Sequence, residues 1–259
     1  MTPTITAHDL DPRRLARIAG ALYLVIIVCG LFSEVVVRGT LVVPGDAAAT
    51  AANVVAADTL FRVGVVSDLV MLIADVAIAV ALYVLLAPVS RALSALAAAF
   101  RLTQAAVLGL NLVHQLAAVL VLSNGGSLQA FDPGQLDALA LLLLDVHAYG
   151  YLLGLTFFAG NLVVIGYLVY RSGFLPRTLG VLSMLAAAGY LADTLLFVLL
   201  PGYDGAVSEL VLAPAFVAEI GFCAWLLIRG VDAAAWRRAA AGTRGGLDRS
   251  AVAHAGAAA

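Results

Sequence analysis

The stretch "RVGVVSDLVMLIAD", Arg62 to Asp75, reads as a helix suited to hydrocarbon, yet it carries an arginine and two aspartates. Whether it crosses a membrane depends on the rest of the chain. Of the 259 residues, 63% are hydrophobic and only 12% are charged, and the mean hydropathy is +1.06. Soluble domains run at about half apolar and about a quarter charged, so this is a membrane composition. A formal net charge of −2 gives no general case for a nucleic-acid partner.

A spanning helix needs about 20 predominantly apolar residues. Six segments qualify: Ile18–Val37, Leu60–Ala87, Ala92–Leu122, Ala148–Tyr170, Thr178–Leu200 and Val207–Ile228. Turn residues punctuate them: Pro44-Gly45-Asp46, Pro88, Asn124-Gly125-Gly126, "SGFLPR" at Ser172–Arg177 and "LPGYDG" at Leu200–Gly205. Asp132-Pro133 is a good helix start. From there to Tyr170 is too long for one perpendicular span, so Gln135–Leu144 is either a separate interfacial helix or part of a long tilted one. The fold class is thus all-α, a polytopic membrane bundle. Residues 1–16 form an N-terminal segment, 17–231 the six-span domain and 232–259 a tail expected to be disordered past Arg238.

All fourteen basic residues are arginines, and they fall unevenly. Arg13, Arg14, Arg17, Arg91, Arg171, Arg177 and the arginines from Arg229 onward lie on one side, which by the positive-inside rule is cytoplasmic. Both termini are then inside. The first apolar run follows three arginines as a signal peptide would, but no small-residue cleavage site follows it, and it reads as a retained span. Cys29 and Cys223 both sit inside apolar runs and read as small packing residues rather than a disulfide framework.

The polar residues within spans form stripes. Asp68 and Asp75 are seven apart and share a face. Arg101, Gln104, Asn111 and Gln115 fall within one arc at about 100° per residue. His147, Tyr151, Gly154 and Asn161 align on a third helix, where Gly150 and Gly154 make a GxxxG that permits close helix approach. Gly20, Tyr23, Ile27 and Glu34 align on the first, with Arg38 one turn beyond in the favourable order for an ion pair. At about 1.5 Å per residue, Asp75, Arg101 and Glu219 share a mid-membrane layer. Glu34, Arg38, Arg62, Asp68, Asn111, His114 and His147 fall in the outer half, and Asp193 lies between the layers.

A charge at the bilayer centre costs about 2.5–3.5 kcal/mol on the insertion scale. Aligned charges avoid this by facing the bundle interior and pairing. Arg101 is expected to meet Asp75 or Glu219, and Arg38 or Arg62 to meet Glu34 or Asp68. Glu34, Asp68, Asp75, Asp193 and Glu219 outnumber Arg38, Arg62 and Arg101, so surplus acids must protonate, see water or bind a cation.

There is no HExxH, Walker loop, GxGxxG after a strand, GxSxG or CxxC. His8 and His254 lie in the tails. His114 and His147 can reach each other across adjacent spans, where zinc or haem would be conceivable. Hydrogen-bonded structural histidines are the commoner case, and no metal, cofactor or catalytic residue is expected. "LVVPGDAAAT" and "VLLPGYDGAVS" form a weak internal echo on which nothing is built.

In chain order occur "RIAGALYLV", "VVPGDAAATAANV", "LFRVGVVSDL", "ALYVLLAPV", "FRLTQAAVLGLN", "HAYGYLLGLTFF", "GFLPRTLGVL", "GYLADT" and "LAPAFVAEIGFCAWLL". In these blocks, covering about Arg17 to Val231, the chain resembles the bacterial integral-membrane family catalogued as domain of unknown function 4386. That resemblance implies a bacterial cytoplasmic-membrane location but no substrate or reaction. Asn161 stands where similar proteins carry histidine, which counts against a metal at that position.

The leading functional expectation is a small polytopic protein that binds or translocates a small solute or proton through an outer pocket lined by Glu34, Arg38, Arg62, Asp68 and His147. One alternative is an intramembrane enzyme on a lipid or isoprenoid substrate, with His147 as acid or base. The other is a non-catalytic assembly partner using the GxxxG face. Membrane lipids are the expected partners, with homo-oligomerisation open. The topology is checked by cysteine tagging: Ser127→Cys should label only from outside and Ser172→Cys only from the cytoplasm, and the reverse pattern would invert the orientation.

Overall fold

The computed structural model describes residues 11–123, 128, 130–200, 203 and 205–242. His8, His254, Ser127 and the Asn124-Gly125-Gly126 and Pro201-Gly202 turn positions lie outside the described residues. Six helices are long and apolar enough to cross a membrane: Pro12–Leu41, Asp58–Leu86, Arg91–Leu122, Pro133–Ser172, Arg177–Leu199 and Leu210–Ile228. We number the helices α1 (Pro12–Leu31, continued to Leu41), α2 (Ala47–Ala56), α3 (Asp58–Leu86), α4 (Arg91–Leu122), α5 (Pro133–Ser172), α6 (Arg177–Leu199), α7 (Gly205–Ile228) and α8 (233–242). No strand occurs among the described residues. Large apolar side chains such as Ile73, Leu110 and Leu210 are more than seven-tenths exposed, which suits contact with lipid rather than water.

The chain forms two compact units. Unit I holds Leu22–Ala77 and Leu102–Phe157; unit II holds Ile78–Arg101, the chain from Phe158 on, and α1 up to Ala21. In unit I an apolar core joins Val37 and Leu41 of α1, Val54 of α2, Phe61 and Val65 of α3, Ala118 and Val119 of α4, and Leu136, Ala140 and Leu144 of α5. That core settles the status of Gln135–Leu144. These residues are the first turns of one continuous 40-residue helix, held because their apolar face is buried. At about 1.5 Å per residue such a helix is about 60 Å long, twice the hydrocarbon thickness. Its start uses the Asp132-Pro133 signal, with Gln135 Oε1 accepting the Asp132 N–H at 3.0 Å.

Two features of unit I go beyond the sequence reading. The first loop contains a helix, α2. Gly45 takes a left-handed φ of 76°, and Asp46 then caps α2 by accepting the Ala49 N–H at 2.9 Å. Thr50 and Asn53 of α2 bond the Val43 and Leu41 backbone, tying it to the end of α1. The second feature is a widened π-helical stretch at Phe32–Arg38, in which the Gly39 N–H reaches back to the Glu34 carbonyl.

Unit II is built on close helix crossings. At the α5–α6 crossing, a Cβ on Gly180 would lie 2.5 Å from the Gly166 carbonyl oxygen, and one on Gly166 would lie 2.7 Å from that of Gly180, so only paired glycines allow this approach. Cys223 bonds the Gly20 carbonyl through sulfur at 3.4 Å; both cysteines are free thiols.

The tail differs from expectation. Residues 233–242 are helical, and Trp236 is only 3% exposed, with its indole N–H donated to the Leu85 carbonyl at 2.8 Å. Burial of one large aromatic with its polar atom satisfied offsets the cost of ordering a short segment. Asp232 caps this helix by accepting the N–H groups of Ala235 and Ala234, chiefly the former, which holds its carboxyl below the usual range. A depressed native value means the cap's contribution is fully present above the ordinary aspartate value of about 4 and is lost as pH falls through the lowered one. Trp236→Ala should cost about 3 kcal/mol or more and expose Arg237 and Arg238 to trypsin in the detergent-solubilised protein. Unchanged protection in the variant would show that Trp236 does not anchor the helix.

Candidate functional site

In unit I, α1, α3, α4 and α5 each bring one polar stripe inward. Asp68, Asp75, Gln104, Asn111, Gln115 and His147 are all buried, as their spacings require. The hub is Arg38. Its Nε and Nη2 donate to Glu34 Oε2 at 2.9 and 2.7 Å, while its Nη1 donates to Asp68 Oδ2 at 2.7 Å. The side chains grade inward from 58% exposed for Glu34 through 10% for Arg38 to 3% for Asp68. The guanidinium also lies 5.9 Å from the centroid of the Tyr151 ring, which stands 6.3 Å from the imidazole of His147.

From Asp68 the network runs on through an amide. Gln115 Nε2 donates to Asp68 Oδ2 at 3.3 Å and lies 2.7 Å from His147 Nε2. His147 Nδ1 faces the Asn111 carbonyl oxygen at 3.2 Å, and Asn111 Nδ2 donates to the His147 carbonyl at 2.7 Å. With Gln115 as placed, a neutral His147 fits with Nε2 accepting from Gln115 and Nδ1–H facing the Asn111 carbonyl; Asn111 Nδ2 also lies 3.1 Å from Nδ1. The approach depends on the GxxxG. A Cβ on Gly150 would fall 2.1 Å from Asn111 Oδ1, and one on Gly154 would fall 2.5 Å from Leu108. The motif therefore serves α4–α5 packing inside unit I rather than an external partner.

The Asp68 carboxylate is not fully satisfied. Its Oδ1 is buried with no hydrogen-bond partner among the described residues, as is Gln104 Oε1 on the α4 stripe. An unsatisfied buried acceptor costs about 1–3 kcal/mol, more when it is charged.

Four of the five expected site residues, Glu34, Arg38, Asp68 and His147, join this network. Arg62 does not: it forms an i,i+4 pair with Asp58 at 2.8 Å, both about half exposed. Asp58, four residues earlier on the same helix, captures it at the surface, whereas Arg38 stands opposite Asp68. The two histidines converge on one backbone oxygen: His114 Nδ1 lies 3.1 Å from the same Asn111 carbonyl oxygen. Among the described residues no group of three or more His, Cys, Asp or Glu is placed to hold a metal ion. Asn111 and Gln115 are members the sequence reading placed on a stripe but not in the site; their i,i+4 spacing beside the histidine stripe was the available signal.

Of the mid-membrane layer, Asp75 belongs to unit I and Arg101 and Glu219 to unit II. In unit II, Arg101 is 2% exposed and its guanidinium lies 4.7 Å from the Phe158 ring centroid. Phe158 meets Tyr190 edge-on at 5.3 Å, and the Tyr190 hydroxyl donates to Glu219. Asp193, one turn along from Tyr190, accepts from Tyr203 at 2.6 Å. Asn161 donates to the Ala97 carbonyl at 2.8 Å, a helix-joining role that needs no metal.

The chain belongs to the family described as Domain of unknown function (DUF4386), which it matches over residues 18–230. An uncharacterized protein of Archaeoglobus fulgidus is 33% identical over 168 residues, covering 64% of this chain and 83% of the relative. No solved structure matches the chain.

If Arg38 is the counter-charge for Asp68, Arg38→Gln should destabilise the detergent-solubilised protein by about 3–5 kcal/mol, because removing one partner strands a buried charge. Adding Asp68→Asn should recover much of that loss in a thermal-unfolding assay. Additive losses in the double variant would mean the two residues act independently.

Proposed function

We propose that this family member, a multi-pass membrane protein, binds or passes a small solute or proton at the polar network of unit I, with Asp68 as the accepting group. The observation that carries the reading is the orphan Asp68 Oδ1. A buried carboxylate oxygen without a donor is stabilised by a proton, a cation or a donor group on a solute. The charges point the same way: two carboxylates, Glu34 and Asp68, share the single guanidinium of Arg38. With His147 neutral, one negative charge remains, and one proton or one monovalent cation neutralises it.

Arginine keeps its proton, so Arg38 is an electrostatic gatekeeper rather than a relay step. Gln115 links Asp68 and His147 by hydrogen bonds from one amide nitrogen. In the observed arrangement one Gln115 amide nitrogen serves both neighbours, so Asp68 Oδ2 and His147 Nε2 both act as acceptors. With the amide turned over, its oxygen would face both, and both would have to donate. The orientation of the amide therefore links the hydrogen-bonding roles of the two groups. The same geometry weakens an acid–base catalytic role for His147, since both ring nitrogens are engaged within the network. The proposal includes termini on the cytoplasmic side, a bacterial cytoplasmic-membrane location and a homo-oligomer.

The test is infrared difference spectroscopy of the reconstituted protein between acid and neutral pH, paired with a proton-flux assay in liposomes. Wild type should show a protonated-carboxyl band that disappears in Asp68→Asn, together with a shift in imidazole bands that Gln115→Leu uncouples from it. Flux or ligand binding should lose its pH dependence in Asp68→Asn and His147→Ala. If both variants keep wild-type pH dependence, the network is structural only.

A further inference from the structure

At one end of unit II the chain shapes a cleft of about 480 Å³, independent of the unit I network. Its lining includes Arg13, the Gly173–Pro176 turn, Trp225, Arg229 and Asp232. Every one of these lies near or just beyond the end of a candidate span. Arg13 is next to the first residue of Pro12–Leu41, the turn separates Pro133–Ser172 from Arg177–Leu199, and Arg229 follows Ile228. Span ends are where lipid headgroups meet a membrane protein.

The frame is preformed. Gly173 and Gly230 adopt left-handed φ values of 69° and 65°, conformations that side-chain-bearing residues rarely take. The Asp232 N–H donates to the Phe174 carbonyl at 3.1 Å and staples one turn to the other. Two exposed arginines from different helix ends thus line the cleft beside a partly exposed indole. The one acid in the lining, Asp232, has its Oδ1 committed to the Ala234 and Ala235 N–H groups of α8 at 2.9 and 3.0 Å.

We infer that this cleft binds a phosphate-bearing headgroup, with Arg13 and Arg229 on the phosphate oxygens and Trp225 against the adjoining apolar part. Arginine suits the role because its planar fork pairs with phosphate through two parallel bonds. The volume falls within the range of small-molecule sites and exceeds what a phosphate ion alone fills. An indole at headgroup depth offers an apolar face and a polar edge together.

The detergent-solubilised full chain is titrated with dispersed phosphatidylglycerol, with phosphatidylcholine, and with inorganic phosphate against chloride at equal ionic strength. The readouts are the thermal-unfolding midpoint and tryptophan fluorescence. A saturable response to phosphatidylglycerol, weakened about tenfold or more in Arg13→Gln/Arg229→Gln but not in Arg14→Gln, supports a lipid headgroup as the source. The same pattern with inorganic phosphate supports the site with a free phosphate as the source. Arg14 is exposed on the same first turn and does not line the cleft, so it controls for charge alone. Absence of any saturable response, or equal weakening in Arg14→Gln, overturns the inference. Comparing the ligand-free midpoints of the variants separates lost binding from lost folding.

Discussion

Hydrocarbon supplies no hydrogen bonds, so every polar group inside a span must find its partner within the protein. In unit I, α3, α4 and α5 obey that constraint by burying Asp68 and Asp75, Gln104, Asn111 and Gln115, and His147 on inward stripes. In unit I the stripes meet at Arg38, which holds Glu34 and Asp68 together. In unit II tyrosine hydroxyls bond Glu219 and Asp193, and the Phe158 ring lies against Arg101. In unit I the Asp68 Oδ1 atom is buried without a hydrogen-bond partner among the described residues.

That unpartnered oxygen is the observation on which the proposed site rests. A buried ion pair by itself is weak evidence for function, since its Coulomb gain and its desolvation cost nearly cancel. A graded network is different. It starts at an exposed carboxylate, passes an arginine that cannot give up its proton, and ends at an imidazole with partners at both ring nitrogens. The π-helical turn that carries Glu34 and Arg38 belongs to the same device, as widened turns often do at functional positions. Family membership adds the boundaries of the domain and no chemistry.

Small residues act where the polar network needs room. Gly150 lets Asn111 lie against α5, and Asn111 in turn holds the His147 carbonyl. A motif commonly read as a dimerisation face is thus consumed within the chain. Outside the spans, α8 shows the complementary rule: one buried tryptophan and one capping aspartate hold a helix in a tail rich in alanine and arginine.

The sequence alone determined the number of spans, their ends to within a few residues for most of them, and which side chains point inward. Those properties follow from composition and from a rotation of about 100° per residue, both local to each helix. Partner choice was not local. Asp58 and Glu34 are each four residues before an arginine, yet Arg62 stays at the surface with the first while Arg38 turns inward to a second acid on another helix. The α2 helix, the unbroken length of α5 and the docking of Trp236 were likewise decided by tertiary contacts, because each depends on apolar surface offered by segments distant in the chain. A helical stripe gives a direction; only packing fixes what stands opposite it.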